Sequence, residues 1–157
     1  MRKILLIHGP NLDLLGEREV EVYGSRTLSQ IDKMIKERAK KLGCEVRIKQ
    51  SNNEGEIVSF IGQSRDWADA LIINPAAYTH TSLAIREAIS AIGIPAVEVH
   101  LSNIFKRESF RQKSFTAGVC VGQITGFGPQ SYLLALEAVM NILGERKNAD
   151  RKGASGD

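Results

Sequence analysis

The chain is poor in the residues that announce several kinds of chemistry. It has two cysteines in 157 residues, Cys44 and Cys120, each inside an apolar, strand-like stretch. They read as buried reduced thiols. So few cysteines, with no signal-peptide pattern, lead us to expect a reducing, cytoplasmic setting. No apolar run is long enough to span a bilayer. Charge of neither sign dominates: 21 basic and 18 acidic side chains leave a formal +3. Without a basic run or an interleaved aromatic stripe, that balance argues against nucleic acid and is compatible with a small anionic ligand. The three histidines show no H-E-x-x-H spacing, and no Cys-x-x-Cys completes a ligand set, so no metal is expected. There is no G-x-S-x-G elbow. "GFG" at 126–128 is neither a P-loop nor a dinucleotide fingerprint, and reads as a tight strand-to-helix turn.

The apolar pattern that is present alternates between two periods. "RKILLI", 2–7, reads as a buried strand. Leu28, Ile31, Ile35, Ala39 and Leu42 recur at helical spacing over 28–42. Thr27 with Gln30 forms a capping-box pattern, and Gly43 suits the helix stop. Strands are expected at 44–50, 70–75, 95–100 and 118–124, and helices at 56–68, 82–92 and about 130–143. Ser82 or a neighbouring threonine would cap the 82–92 helix. Strand–helix alternation predicts an α/β fold, a parallel sheet with right-handed crossovers and helices on both faces. Five strands point to the flavodoxin-like order 2-1-3-4-5, a three-layer sandwich. Residues 1–143 then form one domain. Residues 144–157, charged and without periodicity, are expected to be a disordered tail.

In such a sheet, ligands bind beyond the carboxyl ends of the strands. His8, Asn11, Arg18 and Tyr23 follow the first strand. Asn74, Tyr78, Thr79 and His80 follow the third, and the fourth ends in His100, Ser102 and Asn103. Strands one, three and four are neighbours in the expected order, so their loops converge on one patch. Singly, each residue has a plainer reading. Tyr23 can be a surface aromatic, Arg18 a solvated charge, His8 structural, and Asn11 and Asn74-Pro75 turn chemistry. Glu98 and His100, two apart on a strand, face the same side, as a surface pair or as a carboxylate orienting a histidine.

Together they describe acid–base chemistry. A cation beside a phenol favours the phenolate, and Arg18 lies on the same loop as Tyr23, bracketed by Gly16 and Gly24 as candidate hinges. A histidine can protonate a leaving hydroxyl. A neutral amide such as Asn11 can support an oxyanion, directly or through water. This reading stops at a lyase or isomerase acting on a small anionic carbonyl compound, with no cofactor demanded. The alternative is a flavodoxin-like flavin or nucleotide module without turnover. It would need a phosphate-cradling loop where "GPNLDLLG" stands, and Pro10 there removes a backbone donor.

The segments "HGPNLDLLGEREVEVYG", "QSNNEGEIV", "INPAAYTHTSLAIREAI", "PAVEVHLSNIFKRESFRQKS" and "GFGPQSYLLAL" carry a resemblance. In order and spacing the chain resembles the type II 3-dehydroquinate dehydratases, the type II dehydroquinases of the shikimate pathway. The resemblance implies a homododecamer, a tetramer of trimers. It implies cofactor-free dehydration of 3-dehydroquinate to 3-dehydroshikimate by anti elimination through an enolate. Tyr23 would take the proton and His100 would supply one to the departing hydroxyl. Arg18 would favour the deprotonated tyrosine, Asn11 would hold a water, and Glu98 would orient His100. Asn74, His80, Arg111 and the backbone N–H groups of Leu101 and Ser102 would bind substrate. Two positions depart from the family pattern. Glu87 stands where an aspartate reaching into a neighbouring subunit's site is expected. Phe105 and Lys106 replace histidine and alanine, with Arg107 retained.

Overall fold

Strand β1 (Arg2–His8) is apolar on both faces, because helices cover both sides of the sheet it nucleates. The computed structural model describes residues 1–154. Four further strands follow: β2 (Cys44–Gln50), β3 (Ala70–Asn74), β4 (Ala96–His100) and β5 (Gly122–Thr125). The helices are α1 (Val20–Tyr23), α2 (Leu28–Leu42), α3 (Glu54–Ser64), α4 (Leu83–Ile92) and α5 (Gln130–Ala154). The sheet runs β2-β1-β3-β4-β5 with every pair parallel, the order expected from the sequence.

Alternation along each strand divides the core in two. Ile4, Leu6, Ile72, Val97 and Val99 pack against Ile31, Ile35 and Ala39 of α2 and Ala135, Leu136 and Val139 of α5. Leu5, Ile7, Leu71, Ile73 and Ala96 pack against Ile57 and Ile61 of α3 and Ile85, Ile89 and Ile92 of α4. Each Ile, Leu or Val side chain among them, fully buried, contributes about 1.5–3 kcal/mol. On β2, Arg47 and Lys49 stand exposed, which discourages pairing at this free edge.

Local signals set most boundaries. Thr27 and Gln30 make the reciprocal capping box at the start of α2, which stops at Gly43. Asn53 caps α3 by accepting from the Glu56 N–H, and Ser82 caps α4 by accepting from the Ile85 N–H. Helix α3 is shorter than its apolar pattern. After Ser64 the chain folds back, with the Trp67 and Ala68 N–H groups both donating to the Ser64 carbonyl.

Two expectations need correction. The fifth strand starts at Gly122 rather than 118. Residues Ala117–Val119 form a single 3-10 turn, and Val119 and Cys120 pack on the α4 side of the core. An apolar run without alternation is ambiguous between a strand and a packed turn. The segment from 144 continues α5 as an exposed helix to Ala154, so it is not an irregular tail over 144–154. Glu, Arg, Lys and Ala are good helix formers, and an already formed helix extends one residue at a time. Residues 155–157 of the expected tail lie outside the described residues.

Both cysteines are free thiols. Burial raises the Cys44 thiol, and burial with the nearby Glu98 charge pushes Cys120 up to about 12. No described helix is long and apolar enough to cross a membrane.

The loop leaving β1 passes very close to the loop leaving β3. A Cβ on Gly9 would lie 2.6 Å from the Pro75 carbonyl oxygen and 2.8 Å from that of Asn74. The backbone there has no room to yield, because the Gly9 N–H donates to the Asn74 carbonyl at 2.8 Å. Gly9→Ala is therefore expected to lower stability by about 1–3 kcal/mol, read as a reduced urea midpoint at unchanged slope. An unmoved midpoint would show that the two loops separate freely.

Candidate active site

The carboxyl ends of β1, β3 and β4 lie side by side, and a cleft of about 210 Å³ opens above them. Its lining includes Asn11, Arg18, Tyr23, Asn74, His80, His100, Leu101, Ser102, Arg107 and Arg111. Among the described residues three arginines and no carboxylate line it, so its field favours an anion.

Asn11 follows the Gly-Pro turn with φ 65°, a left-handed conformation that Asn tolerates better than most residues. Its N–H donates to Asn52 Oδ1 at 2.9 Å, which fixes the turn and leaves the side chain in the cleft lining. Asn11 thus makes a turn and faces the site at once.

Tyr23 ends the short α1, half-buried. Gly16 and Gly24 flank this loop with φ of 91° and 83°, values that a side chain would strain. Arg18 lies with Cζ 5.0 Å from the Tyr23 ring centroid. Its Nη2 also donates to Glu19 Oε2 at 2.8 Å, and that bond holds the Glu19 carboxyl below its usual range. The hydrogen bond to the phenol oxygen comes instead from Arg107, whose Nη1 donates at 2.7 Å, with Cζ 5.2 Å from the ring centroid. Two guanidiniums therefore flank one phenol.

His100 ends β4 and lines the same cleft. Alternation sends Val97 and Val99 into the α2/α5 core, and Glu98 with His100 to the other side. Glu98 is wholly buried. It accepts from His100 Nε2 at 3.0 Å, from Ser114 Oγ at 3.0 and 3.1 Å, from Thr116 Oγ1 and from Gln123 Nε2. Burial pushes the Glu98 carboxyl up. The hydrogen bond and charge of His100, with bonds from Thr116 and Gln123, outweigh it and leave the carboxyl below its usual range. An ionised Glu98 accepts only, so His100 Nε2 carries a hydrogen and Nδ1 is the nitrogen left for the cleft.

His80 ends the turn Ala76–His80, and its Nδ1–H donates to the Lys113 carbonyl at 2.7 Å, leaving Nε2 as the nitrogen for the cleft. Arg111 sits in the turn Ser109–Arg111, with Nε donating to Glu108 Oε2 at 2.7 Å. Phe105 is exposed, as is Lys106 beside it. The "GFGPQ" turn behaves as expected of a tight connection. Gly126 and Gly128 N–H groups donate to the carbonyls of His100 and Leu101, clamping the end of β4.

Several sequence candidates fall elsewhere. Glu87 is exposed on α4 and does not line the cleft. Tyr78 donates through its hydroxyl to the Asn52 carbonyl. Thr79 is buried, and Asn103 caps the turn that follows it. His8 lies fully buried behind the cleft, the plainer reading of that residue. No described group of three or more His, Cys, Asp or Glu side chains is arranged to hold a metal.

The sequence reading missed Arg107 as the donor to Tyr23, and missed Ser114, Thr116 and Gln123 around Glu98. The signal for Arg107 was a second arginine on the Arg111 loop. Gln123 is the direct parallel partner of Glu98 in the β4–β5 register, which becomes visible only once β5 is placed correctly.

Fold and cleft first define a class: a flavodoxin-like α/β protein with a cationic cleft fitted for acid–base work on a small anion. Comparison with known proteins narrows it. Residues 2–140 match the sequence profile of the family described as dehydroquinase class II. A 3-dehydroquinate dehydratase of Caldanaerobacter subterraneus subsp. tengcongensis is 58% identical over 139 residues, 88% of this chain and 94% of that one. The crystal structure of a type II dehydroquinase from Butyrivibrio crossotus superposes with a TM-score of 0.87 at 44% identity, covering 88% of this chain and 97% of the other. One from Propionibacterium acnes gives a TM-score of 0.87 at 36% identity, covering 90% and 97%. The chain belongs to the class II dehydroquinase family. That membership leaves the flavin-module alternative without support.

The buried Glu98 makes a pH prediction. Its carboxyl is held below the unfolded value, so it adds stability above the ordinary carboxylate range. That stability is lost as pH falls through the folded value. Glu98→Gln removes the titration. Between about pH 6 and 3 its urea-unfolding free energy is expected to decline less steeply than that of the unaltered protein. Equal slopes would mean that Glu98 is not held ionised.

Proposed function

We propose that this protein dehydrates 3-dehydroquinate to 3-dehydroshikimate in the shikimate pathway, by anti elimination through an enolate. Family membership supports the overall reaction, and the gathering of Tyr23, Arg18, Arg107 and His100 in the lining of one cleft supports the mechanism. Tyr23, with the Arg18 and Arg107 guanidiniums against its ring, removes the proton at C2 of the substrate. The C–H electron pair moves into the ring as an enolate conjugated through the C3 carbonyl. Asn11 holds a water against that oxygen.

His100 then donates from Nδ1 to the departing hydroxyl at C1. The enolate electrons form the C1–C2 double bond, and water leaves. The proton lost by His100 and that gained by Tyr23 balance, and exchange with solvent resets both groups. Glu98 holds the imidazole in the required orientation. Asn74, His80 and Arg111 bind substrate oxygens, and the N–H groups of Leu101 and Ser102 bind the carboxylate. The scheme calls on no metal, cofactor or external oxidant.

The same reading includes a homododecamer, a tetramer of trimers, in a cytoplasmic setting. Exposed large apolar residues on α4 and the following loops, among them Leu83, Phe110 and Val121, support further burial in an assembly. The exposed Glu87 is then free to reach a neighbouring subunit's cleft.

The test is an ultraviolet assay for enone formation from 3-dehydroquinate, with chelator present and no added cofactor. Tyr23→Phe and His100→Ala are each expected to lower kcat by at least ~10²-fold while the fold persists by circular dichroism. Near-normal turnover in either variant removes that residue's role. Arg107→Ala is expected to lower kcat by ~10²–10³-fold, the usual effect of deleting a donor to a catalytic oxyanion. An unchanged kcat would mean that Arg18 alone serves the phenol.

A further inference from the structure

Behind the cleft, four side chains from four elements form one hydrogen-bonded line. Asp32 of α2 meets His8 Nε2 at 2.8 Å, and His8 Nδ1 meets the Tyr132 hydroxyl of α5 at 2.9 Å. That hydroxyl accepts from Asn74 Nδ2 at 3.0 Å, and Asn74 Oδ1 accepts from the Ala76 N–H at 3.1 Å. His8 and Tyr132 are wholly buried and Asn74 almost so; only Asp32 reaches solvent.

One assignment of hydrogens satisfies every member. The Asp32 carboxylate accepts only, so His8 carries its hydrogen on Nε2. A bare Nδ1 then accepts from the Tyr132 O–H. With its one hydrogen committed, the phenol oxygen accepts from Asn74 Nδ2. Burial holds the Tyr132 phenol well above its usual range, so it remains a donor. A second hydrogen on His8 would leave the Tyr132 O–H without an acceptor unless the Asn74 amide gave up its bond to Ala76.

The Ala76 N–H sets the other end. Ala76 holds a left-handed φ of 51°, uncommon for a non-glycine residue, with its N–H on Asn74 Oδ1. Both ends of the Asn74 amide are thus engaged, and a flip would break both bonds.

We propose that Asp32, His8 and Tyr132 are positioning residues that lock Asn74 so that it meets the substrate as a hydrogen-bond donor. The oxygen of Asn74 is turned away onto Ala76, and its second Nδ2 hydrogen is the group offered to a substrate hydroxyl or carbonyl oxygen. Asp32 acts from outside the cleft, through two buried rings. This inference rests on the reading that Asn74 contacts substrate.

Removing members of the line tests it. Tyr132→Phe deletes the oxygen that accepts from Asn74 Nδ2, and Asp32→Ala deletes the acceptor that holds the hydrogen of His8 on Nε2. The experiment measures KM and kcat for 3-dehydroquinate in Tyr132→Phe, Asp32→Ala and Asn74→Ala, with histidine ¹⁵N NMR on the unaltered protein. There His8 is expected as the Nε2–H tautomer. KM in Tyr132→Phe is expected to rise about tenfold, the scale of one hydrogen bond, with kcat changed less than about threefold. Asp32→Ala is expected to raise KM in the same direction.

A His8 found as Nδ1–H in the unaltered protein overturns the inference without any variant having to fold. So does a folded Tyr132→Phe or Asp32→Ala with unchanged KM while Asn74→Ala loses binding. An Asn74→Ala variant with unchanged KM instead overturns the reading that Asn74 contacts substrate, and the inference falls with it.

Discussion

A carboxylate with no surface in water, Glu98, is the constraint on which the cleft is arranged. A buried charge is tolerated only when its oxygens are met by donors, and here four side chains supply them. Those donors come from β4 itself, the segment around 114–116 and β5, so one charge ties three parts of the chain together. Removing a donor would leave a buried charge short of partners, which is more damaging than the loss of one neutral bond. The histidine bonded to that charge has its orientation decided from beneath, before any ligand enters.

The part of the cleft around Tyr23 is built differently. Tyr23 stands on a loop flanked by two left-handed glycines, with Glu19 also at a positive φ of 37°. Little core holds this loop. What anchors it is Arg107, which reaches from the segment after β4 to the phenol oxygen and also to Ser102 Oγ at 3.5 Å. In the proposed reaction the acid is thus mounted on the sheet and the base on a loop that closes by ionic and hydrogen-bonding contacts. A loop held this way can admit substrate and still place a base accurately once shut.

Much of this was legible beforehand. The period of two on β2 and the 3.6 spacing of α2 needed only local patterning, and so did the capping box at Thr27 and the convergence of loops after strands one, three and four. Pairing Glu98 with His100 needed only the two-residue repeat of a strand. The start of β5 was not legible, because "GVCV" is apolar without alternating, and its burial against α4 is a tertiary fact. That error hid Gln123, since its place beside Glu98 follows from register. The helical course of 144–154 was misread because exposed charge was taken as a sign of disorder in a stretch of good helix formers.

By itself, the sequence determined the alternation of elements, the order of the sheet and the side of it on which polar residues gather, because these follow from periodicity and chain connectivity over short distances. Only the tertiary structure decided which guanidinium meets the phenol, which donors surround Glu98 and how the Asn74 amide is turned. The contacts made there by Arg107, Ser114, Thr116, Gln123 and Tyr132 join residues 16 to 84 positions apart, and no local propensity encodes them. They are settled when buried polar atoms, packed at a distance fixed by the hydrophobic core, must each find a partner.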